Sequence, residues 1–329
     1  MQVEALQTDD LSMLSKESVS FLRGRRIILH RIGQEEKPFL GWNSIGENRL
    51  DIVEFSDTNN RQPVASIDSS VIQIAETDEG YVFAAKGCVA YNFLDKKRTL
   101  MFGPAIYYWA ESTSSHIEER LKGSRIPSIF FRDPQLAMRA LRILLERNLT
   151  FRAVKQLRHG TVLIDGSLRY SSIEPQNADL RSIIMLSKEN YGSLAGIAKK
   201  TKIKELQRLE GLLLTRNFPS FIDVTEIMKI AGAEIAGKSF LAKLSGNAPA
   251  LRVDISHDEG EDFFSQLISS DAIVNGYPET LRAAHLLSIF SPADEAAVKA
   301  RLGKIDGLSI LPGFNIRHML LGTLEVKRR

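Results

Sequence analysis

The sequence predicts an α/β protein organised on one mixed sheet, and three observations predict it. Three apolar runs, 63–74, 81–91 and 99–109, are separated only by the turns 76–80 and 95–98, the signature of an antiparallel β-meander. From residue 113 onward the apolar period becomes helical, and helix-like and strand-like segments alternate. Two apolar runs then deliver an aspartate each: Val64-Ala-Ser-Ile-Asp68, and Thr161-Val-Leu-Ile-Asp165 followed by Gly166 and Ser167.

In chain order, residues 8–22 carry Leu11, Leu14, Val19, Phe21 and Leu22 at helical spacing and read as an amphipathic helix. A basic stretch, Arg23-Gly-Arg-Arg26, leads into a short strand over 27–29. Residues 31–62 mix Gly, Pro, Asn and charge, so 1–62 is expected to be an N-terminal helix with an irregular extension and 63–329 the main domain. After the meander come helices over 113–122 and 134–148. The second starts at Asp133-Pro134, a capping acid followed by proline in the first turn, and carries Leu136, Met138, Leu141, Leu144 and Leu145. Strand 161–165, helix 177–188, strand 192–198 and helix 202–215 follow. Strand 249–255, helices 260–268, 279–290 and 293–302, and an apolar tail ending in Lys327-Arg-Arg complete the chain. Ribonuclease-H-like and actin-like ATPase folds share this order: three meander strands, then alternation, with helical elaborations.

Composition narrows the setting. Hydrophobic residues at 43% and charged residues at 25% are ordinary for a globular protein. A net charge of +3 means that any nucleic-acid surface is a local patch. No apolar run approaches the roughly 20 residues that span a bilayer, and the acidic amino terminus lacks a signal peptide's layout. A single cysteine, Cys88, excludes an intrachain disulfide and a multi-cysteine zinc site. The expectation is a soluble cytoplasmic protein with no membrane association.

The two aspartates carry the chemistry. Adjacent strands lie about 5 Å apart, so carboxylates at matching positions can share a divalent cation, which keeps both ionised against their mutual repulsion. Oxygen ligands favour Mg²⁺ or Mn²⁺ over zinc. A third acid from helix 134–148 would complete a two-metal hydrolase set, and Glu146 is the candidate. Its spacing reads equally as a solvated charge paired with Arg142 at i−4. An actin-like ATPase uses a similar acid pair but wants glycine turns against phosphate. Here Ser69 and Ser70 follow Asp68, with no glycine before Gly80, so phosphodiester hydrolysis is favoured.

Between about residues 60 and 290 the chain resembles the NurA nucleases, partners of the HerA helicase in DNA end processing. The resemblance is an ordered set of short motifs: Ser66-Ile-Asp68-Ser-Ser, the helical Glu146, Leu163-Ile-Asp165-Gly-Ser-Leu168, Leu194-Ala-Gly196-Ile-Ala-Lys199, and Gly276-Tyr277-Pro278 followed by Ala283-Ala-His285. Ser69 stands where the family has glycine, and Ala198 where it has serine. The resemblance implies a ribonuclease-H-like core, a homodimer enclosing a DNA channel, a HerA-type hexameric helicase as partner, and Mn²⁺-dependent cleavage of DNA. The implied activities are 5′→3′ exonuclease on single and double strands and endonuclease on single strands. Asp68 and Asp165 become metal ligands, Glu146 a ligand or water-orienting carboxylate, and His285 a further catalytic residue.

Other candidates are weighed against plain structural roles. A lone histidine on an apolar helix, as His285 is, more often sits satisfied in a core; its place after Tyr277-Pro278 makes it a site candidate. His30, His116, His159, His257 and His318 have no metal-ligand spacing. Tyr277 reads equally as a base-stacking or phosphate-binding residue and as a turn residue before proline. Lys199, Lys200, Lys202 and Lys204 read as a solvated face or, beside a polyanion site, as DNA contacts. Asp254, Asp258, Glu259, Glu261 and Asp262 are expected at the surface, away from DNA. A scaffold of this family, holding DNA with weak or no hydrolysis, is the competing reading, motivated by Ser69-Ser70.

Overall fold

The computed structural model describes residues 2–5, 9–29, 51–94, 96–121, 126–199, 203–246, 248–256 and 260–311. Its strands are β1 (Gln2–Ala5), β2 (Arg26–Leu29), β3 (Ile52–Glu54), β4 (Val64–Glu76), β5 (Gly80–Phe93), β6 (Lys96–Ala110), β7 (Thr161–Asp165), β8 (Ser193–Ala198), β9 (Ser220–Asp223), β10 (Lys238–Lys243), β11 (Leu251–Ile255), β12 (Ile273–Val274), β13 (Tyr277–Pro278) and β14 (Ser309–Leu311). Its α-helices are α1 (Asp9–Phe21), α2 (Ser114–Glu118), α3 (Ile129–Arg132), α4 (Pro134–Gln156), α5 (Leu180–Glu189), α6 (Lys204–Leu214), α7 (Thr225–Ile230), α8 (Gly260–Ser270), α9 (Glu279–Ser288) and α10 (Pro292–Leu302).

One mixed sheet of 12 strands runs β1-β6-β5-β4-β7-β8-β11-β10-β9-β3, with β2 against the far end of β4 and β14 against β2. The meander β4-β5-β6 is antiparallel, whereas β7 joins β4, and β8 joins β7, in parallel. The alternation after residue 113 is what makes these parallel pairings possible, because a parallel neighbour needs a crossover and α4 and α5 supply two.

Helices cover both faces at the centre, so β7 reads as a continuous apolar run rather than an alternating one. Side-chain parity then sorts its residues. Ala65 and Ile67 of β4 and Val162 and Ile164 of β7 pack with Leu141, Leu144 and Leu145 of α4. Val64 and Leu163 face the other way, into a core with Ile197, Phe240, Val253 and Phe264. The β7 pairing with β4 ends at Ile67–Ile164, while β4 continues to Glu76. Beyond the carboxyl end of β7 this leaves a notch, the place where open α/β sheets hold ligands.

Several expectations change. The helix expected over 134–148 runs on to Gln156. Leu149, Ala153 and Val154 continue its buried stripe, and Asn148 Nδ2 and Thr150 Oγ1 donate to carbonyls of their own helix, so neither polar side chain ends it. Asp133 caps its start by accepting from the amides of Gln135 and Leu136. The helix expected over 113–122 is a 3₁₀ turn, Glu111–Thr113, and the five-residue α2. Residues 216–248, given no elements from sequence, contain β9, α7 and β10, which with β11 extend the sheet by antiparallel pairing. Helix α1 lays Leu11 and Leu14 into the core beneath β6, and Ser15 Oγ donates to the Ile106 carbonyl.

Candidate active site

Register and parity bring the two aspartates together. Ile67 is level with Ile164, so Asp68 and Asp165 follow side by side on the face that α9 covers. Asp68 is only 3% exposed, and its charge is met from several sides. Oδ1 accepts from the Ser69 amide at 2.8 Å, and Oδ2 accepts from Ser288 Oγ at 2.9 Å. His285 Nδ1 lies 2.7 Å from Asp68 Oδ2 and 3.5 Å from Asp165 Oδ2, bridging the pair. On the far side, Asp165 Oδ2 accepts from Lys199 Nζ at 2.7 Å.

Asp68, Asp165 and His285 each offer one ligand atom, all within 4.8 Å of one another. Two carboxylates, an imidazole and no thiolate make a donor set that fits a hard divalent ion such as Mn²⁺ or Mg²⁺. Cys88 pairs with Asp68 across β4 and β5, but burial, followed by the charge of Asp68, pushes its thiol up to about 12, so it stays a protonated core residue.

Glu146 enters from the opposite face. It lies outside the three-residue group, yet it belongs to the same cluster through two donors. Arg142 Nε reaches its Oε1 at 2.7 Å, and Ser69 Oγ donates to the same oxygen at 3.0 Å. The expected pairing of Glu146 with Arg142 at i−4 is present, but it is made beside Asp68 rather than in solvent. Burial raises its pKa against the opposing charge of Arg142, which inclines the carboxylate to accept a proton. Ser69 fills the position of the missing glycine with a bond that ties Asp68 to Glu146.

Asn275 and Gly276, at φ +52° and +79°, make the two-residue turn of the β12–β13 hairpin that delivers Tyr277 to the site. Lys199 Nζ lies 5.0 Å from the Tyr277 ring centroid while bonded to Asp165, so cation, ring and carboxylate form one contact. The Tyr277 hydroxyl is buried and approaches Asp165 without a well-formed hydrogen bond, and burial, then the charge of Asp165 and that approach, raises its pKa well above the usual tyrosine range. Lys200 and Lys202 lie outside the described residues, as do His30, His257, Asp258, Glu259 and His318.

The acidic cluster is corrected at Asp254, which is 0% exposed. It accepts from the Leu168 amide at 3.2 Å and Ser239 Oγ at 2.8 Å, with Arg252 at 3.4 Å, and so anchors the turn after Asp165; Glu261 and Asp262 are exposed as expected. Sequence reasoning also missed a buried relay behind the site. Ser66 bonds Thr280 at 2.6 Å, and Thr280 donates to Asp271 at 2.5 Å, locking the start of α9 to β4 two residues before Asp68. Alternation places Ser66 beside Asp68, but nothing in the sequence pairs either with Thr280 or Ser288.

Strand order β6-β5-β4-β7-β8, with acids at the β4–β7 junction, is a ribonuclease-H-like fold. The chain belongs to the NurA family, whose domain model matches residues 62–288. It is similar to the NurA nuclease from Sulfolobus solfataricus at 17% identity, covering 77% of this chain and 86% of that one, with a TM-score of 0.50. A NurA crystal structure with manganese matches at 11% identity, 79% and 93% coverage and a TM-score of 0.44. Human ENDOV matches at 14% identity, 76% and 93% coverage and a TM-score of 0.39. No curated protein sequence matches the chain. Among the described residues no helix is long and apolar enough to cross a membrane.

Proposed function

We propose that this protein is a divalent-metal-dependent deoxyribonuclease, and the observation that supports it most is the bridging of Asp68 and Asp165 by His285 Nδ1. In this reading Asp68, Asp165 and His285 hold the cation, Mn²⁺ with Mg²⁺ as the second choice. A cation held there supplies Lewis-acid stabilisation of phosphoryl oxygens and lowers the pKa of a bound water. Glu146, its Oε1 fixed by Arg142 and Ser69, orients the attacking water and accepts its proton. Lys199 moves from Asp165 to the phosphate, and Lys200 and Lys202 contact neighbouring phosphates along the strand. The Tyr277 ring supports Lys199 and offers a face to a base.

The substrate is DNA, cleaved as a 5′→3′ exonuclease on single and double strands and as an endonuclease on single strands. The protein works in the cytoplasm as a homodimer with a HerA-type hexameric helicase, in end resection and recombinational repair. Residues 63–329 form the nuclease domain and 1–62 its extension. Incubating end-labelled DNA with the purified protein and Mn²⁺, against an EDTA control, tests the core of this. Asp165→Ala is expected to lower cleavage by roughly 1000-fold, the several kcal/mol that a lost metal ligand withdraws from the transition state, with DNA binding retained. No EDTA-sensitive product from the wild type would leave the scaffold reading standing instead.

A further inference from the structure

Arg142 enters at the sequence level only as the i−4 partner of Glu146. In the structure it stands at the mouth of the carboxylate cluster, its side chain 47% exposed where Asp68 is 3% and Glu146 14%. Nε donates to Glu146 Oε1 at 2.7 Å, and Nη2 is 3.5 Å from Asp68 Oδ1, a long contact that uses little of its capacity. A guanidinium has five N–H donors in a fixed fork, and among the described residues Nη1 donates to none. The charge of Glu146, reinforced by Asp68 and Asp165, keeps Arg142 cationic at any working pH.

The charge balance asks for such a group. Asp68, Glu146 and Asp165 ionised, one divalent ion and an incoming phosphodiester leave two negative charges in excess. Lys199, on Asp165, and Arg142, on Glu146 and Asp68, are the cations in place to cancel them. They flank the cluster from opposite faces of the sheet. Of the two, only Arg142 combines a side chain pinned at Nε with a planar Nη edge, Nη1 unengaged and Nη2 held only by the long contact to Asp68, the geometry that can bind two oxygens of one phosphate.

We propose that Arg142 is a catalytic residue of this site, its Nη edge binding the non-bridging oxygens of the phosphodiester under attack while Nε holds Glu146. This rests on the nuclease reading. Arg142 would bind the phosphate and stabilise the charge that builds on it, tasks that a residue acting solely through Glu146 does not perform.

The test uses the full chain loaded with Mn²⁺ and four measurements: Mn²⁺ affinity, melting temperature, affinity for thymidine 5′-monophosphate as a mononucleotide product of DNA hydrolysis, and single-turnover cleavage. Arg142→Ala is expected to weaken nucleotide binding at least about tenfold and to slow cleavage by more than that, with Mn²⁺ affinity and melting temperature unchanged. Arg142→Lys, which keeps charge without the fork, should fall between. Glu146→Gln, which removes the other partner of Arg142, should slow cleavage while leaving nucleotide affinity within about threefold. The proposal is overturned if Arg142→Ala binds the nucleotide as wild type does, if its loss of cleavage follows a loss of Mn²⁺ or of folding, or if the wild type takes no nucleotide. A wild type that binds the nucleotide but leaves DNA intact sinks the nuclease reading instead, with the role of Arg142 in phosphate binding still decided by the titration.

Discussion

Tyr277 shows that a side chain's type does not say which of its parts makes the contact. The sequence leaves it open between base stacking, phosphate binding and a plain turn role; in the structure its hydroxyl is buried facing Asp165, and the ring makes the outward contact, 5.0 Å from Lys199 Nζ. A buried hydroxyl that faces a carboxylate without a well-formed hydrogen bond recovers little of its desolvation cost. Tyr277→Phe is therefore expected to match or exceed the wild type in stability by up to about 1 kcal/mol and to keep cleavage within about threefold, whereas Tyr277→Ala should lose activity with the ring. Urea denaturation and single-turnover rates check both. A large drop in the phenylalanine variant would mean that the hydroxyl reaches substrate after all.

Elements decide what a sequence can disclose. Asp68 and Asp165 were legible because each sits in a strand whose apolar run is unmistakable, and parallel pairing leaves little freedom in register. Gly196 is legible as a motif and explained only by packing: a Cβ there would come 2.8 Å from the Gly166 carbonyl oxygen, so β8 needs glycine to approach the turn after Asp165. Strands β9 and β10 escaped because one is four residues long and the other begins and ends in lysine. Asp254 escaped because it sits in sequence near Glu261 and Asp262, exposed in the first turn of α8, while its own partners lie 86 and 15 residues away. Arg147, next to Glu146, clasps Glu174 at 2.9 Å and the Arg169 carbonyl at 2.8 Å, pinning α4 to the segment after β7 by a contact no local pattern encodes. The Ser66–Thr280–Asp271 relay does the same for α9, and it carries a pH signature. Burial raises the Asp271 pKa, opposed by the bonds from Thr280. A carboxyl that titrates higher in the folded than in the unfolded chain binds more protons when folded, so its contribution is full below the unfolded value near 4 and is lost as pH rises through the native one. Asp271→Asn keeps an acceptor for Thr280 and removes that titration. Glu146 acts with the same sign in both proteins, so the difference between their urea midpoints over pH 4 to 7 isolates Asp271; parallel curves would contradict its burial as a charge.

At the scale of the molecule, the first and last described strands both join the sheet. β1 lies parallel to β6 at one edge, and β2 joins β14 to the end of β4. With Leu11, Leu14 and Leu22 buried, α1 is part of the core, and a deletion that removed it would cost stability. The site imposes a global cost too. Two carboxylates facing each other at the end of β7 repel one another wherever protein cations only partly offset them, and a bound divalent ion converts that repulsion into attraction in the folded state alone. Binding then appears as stability: about 2.7 kcal/mol at a hundred times Kd, which for a chain of this size is a rise of several degrees in melting temperature. Wild-type protein is expected to show this rise with Mn²⁺, reversed by EDTA and with no DNA present. Asp68→Asn, which relieves the repulsion while removing a ligand, should melt at or above the metal-free wild type yet gain little from Mn²⁺. Equal gains in the two proteins would place the ion away from Asp68, and the arrangement of β4, β7 and α9 would then need a different chemical explanation.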